Sequence, residues 1–348
     1  MNNWLQIDRE RRRSIIETLS KKTGLSPVSI EKDWWVSEVL RALFSTSFAS
    51  HLSFKGGTSL SKCWNLIERF SEDVDIAINR EFLGFQGAIS KTQISDKLRR
   101  ASCSFVRETM KSDLEQQLLG QGIDKSLFNV TVNKTSVSTT DPEIIEVHYQ
   151  SILPETSYIQ NRILIEVSGR SMTEPVEEVE INSIISQDFP SAEFAEPSFA
   201  IKAVSPKRTF LEKACLLHEE FAKETGEIRV NRMSRHIYDL EKLMDAQIAQ
   251  EALHDTALYK AVMEHRRKFI GLKGFDYSTL EPQSISFVPP DEVIPYWRED
   301  YKNMQNSMIY GKSLSFDKLI ERITELNERF RTITLPNAPP QTNDNKTG

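Results

Sequence analysis

The apolar positions near the start of the chain fall into a helical pattern. Trp35, Val36, Val39, Leu40, Leu43 and Phe44 recur at intervals that gather them on one wide face of a helix. Ser26-Pro27 precedes them, and a serine N-cap followed by proline in the first turn is a helix start. The pattern predicts a buried helix over residues 27–44, leading into a short strand, 52–57 (LSFKGG), that ends in a glycine turn. Residues 58–66 then predict a helix. In 73–78 (DVDIAI) the period changes to two: Val74, Ile76 and Ile78 alternate with Asp73, Asp75 and Ala77, as in a strand with one buried face.

A long polar helix is predicted over 91–119, ended by Gly120-Gln121-Gly122. Strands follow at 128–132, 144–149 and 163–167, with a turn rich in Ser and Thr at 135–142. Residues 171–200 hold seven acidic residues and no Lys or Arg, a local charge of −7, and read as strand and loop on the outer side of a sheet. Ser205-Pro206 marks the main boundary. Beyond it Thr209-Phe210-Leu211-Glu212 fits a capping box, and Phe210, Ala214, Leu217 and Phe221 form one apolar stripe. Further helices are predicted at 230–246, 291–310 and 316–329. The tail, LPNAPPQTNDNKTG, is polar with three prolines and reads as disordered. No internal repeat occurs. The expected organisation is α/β (α+β): a mixed sheet with flanking helices over 1–204, a helical domain over 205–335 that closes a cleft, and a tail over 336–348.

Composition narrows the function. The 348 residues carry 44 Lys and Arg against 50 Asp and Glu, a net charge of −6. Bulk charge therefore excludes a protein that coats nucleic acid, but leaves room for a local basic cleft. No apolar run is long enough for a membrane helix, and MNNWLQIDRERRRSIIETLS lacks the apolar core of a signal peptide. Three cysteines, Cys63, Cys103 and Cys215, are too few and scattered for a disulfide frame or zinc site, which points to a reducing cytoplasm.

The candidate chemistry lies in Lys55-Gly-Gly-Thr-Ser-Leu60 followed by Arg69-Phe-Ser-Glu-Asp-Val-Asp-Ile76. Two glycines between a strand and a helix let backbone N–H groups approach a phosphate, and Thr58 and Ser59 add hydroxyl donors. Asp73 and Asp75 sit two apart on a strand, so both carboxylates project from one face. Such a pair holds Mg²⁺ against phosphate oxygens.

This arrangement resembles the nucleotidyltransferase superfamily, and more closely the AbiEii/AbiGii toxin family with its GGTSL and RxSxDxDI signatures. Ile163-Leu-Ile-Glu-Val167 resembles the strand bearing a third acidic residue, Thr209-Phe-Leu-Glu-Lys213 the lysine motif, and Arg235-His-Ile-Tyr-Asp-Leu240 the Arg-to-Asp motif. EKDWWVSEVLRALF and Asp300-Tyr301-x-x-Met304 extend the likeness over residues 25–330. The resemblance implies a metal-dependent nucleotidyltransferase with an NTP substrate, acting as the toxin of a toxin–antitoxin or phage-defence (abortive infection) pair, with tRNA as acceptor in some relatives and a cognate antitoxin as partner. It implies a catalytic set of Asp73, Asp75, Lys213 and Asp239, with Asp239 orienting Lys213 or serving as base on the acceptor hydroxyl. Gly56, Gly57, Thr58, Ser59, Arg69, Ser71, Lys213 and Arg235 would bind the nucleotide. Asp73, Asp75 and Glu166 would hold Mg²⁺ or Mn²⁺. A transferase for a protein or small-molecule acceptor, and a non-catalytic nucleotide-binding protein of the same fold, are the alternatives.

Plainer readings stand beside these. A lone DxD is often a solvated strand face, and Glu166, alternating with Ile163, Ile165 and Val167, could be the same. His148 has no second ligand near it and reads as structural. Lys213 beside an apolar stripe could only snorkel. Arg232, Arg235, His236 and Asp239 fall on one helix face, where an Arg235–Asp239 pair would contribute about 0.3–0.5 kcal/mol. Residues 202–235 hold eight Lys or Arg against five acids, and 260–273 hold five against one, an electropositive wall suited to RNA.

Overall fold

A computed structural model describes residues 2–133, 143–154 and 159–336. The turn expected at 135–142 and residues 337–348 of the tail lie outside them. Seven strands form one sheet: β1 (Leu52–Lys55), β2 (Asp73–Ile78), β3 (Phe128–Asn133), β4 (Glu143–Tyr149), β5 (Arg162–Ser168), β6 (Val176–Ile181) and β7 (Phe199–Val204). Their order is β3-β4-β5-β2-β1-β7-β6. β2 runs antiparallel to β1 and parallel to β5, and β7 runs parallel to β1, so the sheet is mixed as expected. Because β2 is central, Ala77 is buried together with Val74, Ile76 and Ile78, and only the Asp73–Asp75 end opens to a cleft. β6 is an edge strand with Glu177, Glu178 and Glu180 exposed, in keeping with the acidic stretch on the outer side. Charges on such an edge discourage pairing with another chain.

The helix Pro27–Leu43 starts as its cap predicts: the Ser26 hydroxyl accepts the Ser29 N–H at 3.1 Å. Trp34 and Trp35 enter the core, while the preceding charges staple the helix down. Glu31 accepts the Ile152 N–H at 2.8 Å. Asp33 accepts from Lys62 Nζ at 2.6 Å and from the Ile184 N–H at 2.7 Å. Lys32, buried, donates to Glu72 at 2.6 Å.

Several boundaries differ from expectation for identifiable reasons. The helix after β1 spans Gly56–Lys62, so it begins on the glycines themselves. The capping box does not form. The helix Pro206–Phe221 starts behind Ser205, which places Thr209 inside it and pairs Glu212 with Arg208 at 3.1 Å. The helix expected at 230–246 is only Ser234–Leu243, because Arg232 takes a left-handed φ of 60° and turns the chain. Asp300 then accepts the N–H of Arg232 at 2.6 Å and of Ser234 at 2.9 Å, capping that helix from the helix Ile294–Ser307. The 91–120 run is helical, with π-type stretches at Gln93–Leu98 and Val106–Met110. Helices Gln247–His254 and Thr256–His265, for which no periodic signal stood out, complete the second half with Phe316–Arg331.

Apolar side chains form two main cores. One reaches from Trp4 to Ile201 around the sheet; the other joins residues from Phe210 to Ile333 and takes in Leu60 and Ile67. The connection from the first helix after β1 to β2 thus packs on the helical half. It is also sewn to it: the Phe70 N–H bonds Met308 O at 2.8 Å and the Tyr310 N–H bonds Glu68 O at 3.1 Å. This seam carries Arg69 to the junction of the two cores.

Candidate active site

A cleft of about 360 Å³ opens at that junction, lined by Gly56, Gly57, Arg69, Ser71, Asp73, Asp75, Glu166, Lys213 and Arg235 together. The sequence separates these residues by up to 179 positions; the sheet and the seam bring them to one place. Register does most of this. Asp75 pairs with Lys55 on β1 and with Glu166 on β5, so the third carboxylate stands directly beside the DxD pair. Lys55 Nζ lies 4.0 Å from Asp75 Oδ1.

The carboxylates are under mutual strain of charge. Glu166 is pushed up to about 7 by burial, then by the charges of Asp75 and Asp73. Asp73 Oδ2 accepts from Arg235 Nη1 at 3.3 Å, whereas its buried Oδ1 has no hydrogen-bond partner among the described residues. An orphaned carboxylate oxygen beside two further carboxylates is a donor set that fits a hard divalent cation. Among the described residues no three such side chains are already gathered into a metal-holding cluster. That bears on Glu166, which lies alongside the pair rather than closing a cage with it. One or two carboxylates completed by substrate phosphates is the usual way Mg²⁺ is held.

The glycine turn fits against these groups. Gly56 has φ +81°, and a Cβ there would lie 2.0 Å from Asp75 Oδ2; one on Gly57 would lie 2.5 Å from Arg69 Nη2. Gly56→Ala would therefore both strain the backbone and push Asp75 aside. Transfer activity should fall at least a hundredfold while the circular-dichroism spectrum is kept, and near-normal turnover would show that Asp75 need not hold its place. The hydroxyls behave differently from expectation. Ser59 is fully buried and donates to Gly56 O at 2.9 Å, and Thr58 lies 2.9 Å from Ser71 Oγ and donates to Asp73 O. Neither lines the cleft; Ser59 closes the turn on itself and Thr58 holds it to β2.

Opposite the carboxylates stands a buried cation group. Asp239 is fully buried and takes Arg69 Nε at 2.7 Å and Nη2 at 2.8 Å, with Lys213 Nζ at 2.9 Å. Burial works to raise its carboxyl, but Arg69 and Lys213 outweigh this and hold it below the usual carboxylate range. Burial lowers Lys213, with Asp239 opposing. His236 is held well below its ordinary value by burial and by Lys213, so it is neutral and its Nδ1, 3.4 Å away, faces the Lys213 ammonium. Two of the three ammonium hydrogens are thus engaged and one remains for the cleft.

These contacts bear on two expectations. Asp239 does not line the cleft, and Arg69 and Lys213 together bind both its oxygens, an arrangement that fits the orienting of Lys213 better than a base on an acceptor hydroxyl. The local Arg235–Asp239 pair does not form: Arg235 turns to Asp73 and Asp239 to Arg69. Arg69 is only 2% exposed and its remaining donor contact goes to Phe70 O, so it supports the group from beneath. A second network bridges the halves beside Asp73, where Glu72 takes Lys32 Nζ at 2.6 Å and Arg232 Nη2 at 2.7 Å.

Sequence reasoning did not single out Lys55, Thr209, Glu212 or His265 as cleft residues. Thr209 is the most informative: 4% exposed, lining the cleft, with a buried Oγ1 that has no hydrogen-bond partner among the described residues. Its place next to the lysine motif was the available signal. His148 stands apart from the cleft and pairs with Glu146 at 2.9 Å, a structural role. The basic wall also changes character. Lys223 and Arg229 share Glu220, Lys207 meets Glu251, Arg208 meets Glu212, and Arg266, 8% exposed, is held by Glu219 through Nε at 2.6 Å. Most of the charge counted there is neutralised inside the fold. Arg267, Lys268 and Lys273 remain exposed.

The family described as nucleotidyl transferase AbiEii toxin, type IV TA system, matches residues 38–322. Among solved structures the chain is similar to MenT4, a nucleotidyltransferase toxin from Mycobacterium tuberculosis H37Rv, with a TM-score of 0.53 and 15% identity over 92% of this chain and 90% of that one. It is also similar to JHP933 from Helicobacter pylori, with a TM-score of 0.42 and 12% identity over 88% and 93% of the two chains. No curated protein matches in sequence. The family match spans well over half of the chain, its glycine turn, acidic pair, lysine and Arg-to-Asp motif all fall inside it, and the chain belongs to the AbiEii nucleotidyltransferase toxin family of type IV toxin–antitoxin systems.

Proposed function

We propose that the chain transfers a nucleotide from an NTP to the end of an RNA, tRNA being the acceptor favoured by the family resemblance, in a reaction that needs Mg²⁺ or Mn²⁺. The observation that carries this is the face-to-face placement of the Asp73–Asp75 pair, with its orphaned oxygen, and the Lys213 ammonium across one cleft. A bound divalent ion would neutralise charge on the transferring phosphoryl group. Asp73 and Asp75 would hold it, while the backbone of Gly56 and Gly57 approaches the phosphates. Lys213, aimed by Asp239 and neutral His236, and Arg235 would neutralise the triphosphate. Phosphoryl transfer needs mainly such positioning and charge stabilisation.

A cognate antitoxin follows from the family as partner. Cys63, Cys103 and Cys215, which form no disulfide among the described residues, and the dependence on NTP suit the cytoplasm; among the described residues no helix is long and apolar enough to cross a membrane.

The test incubates the purified chain with each labelled NTP, Mg²⁺ and total cellular RNA. Label on tRNA, abolished by a chelator, is the expected result. Label on protein or on small molecules instead would move the chain to another acceptor class, and nucleotide binding with no transfer would make it a binding protein.

A further inference from the structure

A second cleft, about 540 Å³, adjoins the first: Ser171 and His265 line both. One wall is the chain just after β2, with Asn79 and Arg80; the other is the end of the helical run that starts at Thr256, with Glu264, Lys268 and Phe269. Phe269 is the centre of this wall. Its ring lies at an interplanar angle of 12° and 4.8 Å from the His265 ring. The Arg80 guanidinium and the Lys268 ammonium each lie 5.7 Å from its centroid. Arg80 is fixed there because its Nη1 donates to Phe85 O at 3.1 Å and Gly87 O at 2.9 Å. Phe269 also packs against a small separate apolar cluster of Ile89, Ile94 and Leu98, which holds the ring in place.

A rigid aromatic ring with cations beside it, half-exposed in a groove, is the combination by which proteins take single-stranded nucleic acid. Bases stack on the ring, and phosphates meet the cations. We propose that this second cleft is the acceptor subsite, where a base near the end of a single-stranded RNA stacks on the face of Phe269 turned away from His265 and its phosphates lie along Arg80 and Lys268. The proposal rests on the transferase reading above and adds where the acceptor lies. His265 stands at the doorway between the two clefts, so the RNA end would enter the nucleotide cleft past its ring. Glu81, Glu174 and Glu264 also line the groove. They keep the phosphates to the cation side, and a carboxylate can accept from the exocyclic amino group of a base.

The test measures binding of a labelled single-stranded oligoribonucleotide, and of a duplex of the same length, to the full chain at low salt. Binding of a magnesium–NTP complex is measured separately. Phe269→Leu keeps the apolar contact with Ile89 and Leu98 but removes the ring; Phe269→Trp keeps a stacking face. Single-stranded RNA affinity should fall about tenfold or more in Phe269→Leu and recover in Phe269→Trp, with NTP binding unchanged. Lys268→Glu should weaken it as well and flatten its salt dependence. The subsite is overturned if Phe269→Leu binds single-stranded RNA as wild type does, if the duplex binds equally well through the same residue, or if NTP affinity falls in parallel. Transfer to RNA that persists alongside any of these leaves the transferase reading standing; transfer to protein or small molecules alone overturns both.

Discussion

Asp73→Ala and Asp75→Ala should each remove nucleotide transfer to background, a loss of a thousandfold or more, without unfolding the chain. The reason lies in what each side chain does in the free protein. Among the described residues Asp73 has one oxygen without a hydrogen-bond partner and the other on Arg235 at 3.3 Å, and Asp75 has an ion pair with Lys55 alone, at 4.0 Å. Neither contact is short enough to support much stability. Both carboxylates instead press on Glu166, which burial and their charge push up to about 7. Asp75→Asn would therefore relieve a repulsion: Glu166 should titrate closer to its ordinary value, and the melting temperature should stay level or rise. A group that costs stability in the free protein and is nevertheless present is one whose worth is realised with its ligand. The measurements are transfer with Mg²⁺ and a labelled NTP, thermal unfolding, and NMR titration of Glu166. A variant with near-wild-type turnover, or one that loses activity only because it unfolds, would sink the assignment.

What the sequence disclosed about this site was local, and what it concealed was tertiary. The glycine turn and the DxD strand are adjacent in the chain, and their chemistry is set by spacing, so both could be read directly. Glu166 could be placed because strand alternation fixes its face, and parallel register then puts it beside Asp75. The contact of Asp239 with Lys213 could be expected, but its pairing with Arg69 could not. Its neighbours on one helix face suggested Arg235 at i−4, but a bidentate guanidinium arriving from Arg69, 170 positions away, is a better partner than an exposed local one. The basic clusters misled for the same reason. A count of Lys and Arg along the chain says nothing of the carboxylates that meet them, and Glu219 and Glu220 neutralise three of the cations from a neighbouring helix turn. The capping box at Thr209 was a correct pattern in the wrong place, since Ser205-Pro206 already starts the helix and places Thr209 inside it, where it lines the cleft.

The cation group sets up a second large effect, in which two residues that touch each other should fail in different ways. Asp239→Ala leaves Arg69 and Lys213, 2% and 7% exposed, with no anion between them. Uncompensated buried charge of this kind costs about 3–5 kcal/mol. Arg69 also anchors the seam that joins residues 68–70 to 308–311, so the junction of the two cores should loosen with it. Lys213→Ala removes one cation from a carboxylate that keeps both bonds from Arg69. A lost charged hydrogen bond costs about 1.5–3 kcal/mol, and here the survivor remains paired. Lys213→Ala should therefore fold and lose transfer to background, and it should not slow the growth of a bacterial host in which wild type is expected to do so. Asp239→Ala should lose transfer and also unfold at clearly lower urea. Urea unfolding of both variants, with transfer and growth measured at matched expression, separates the cases. Equal stability of Asp239→Ala and wild type would mean that the buried carboxylate is not what holds the two cations. Toxicity of Lys213→Ala equal to wild type would mean that the ammonium facing the cleft takes no part in the chemistry.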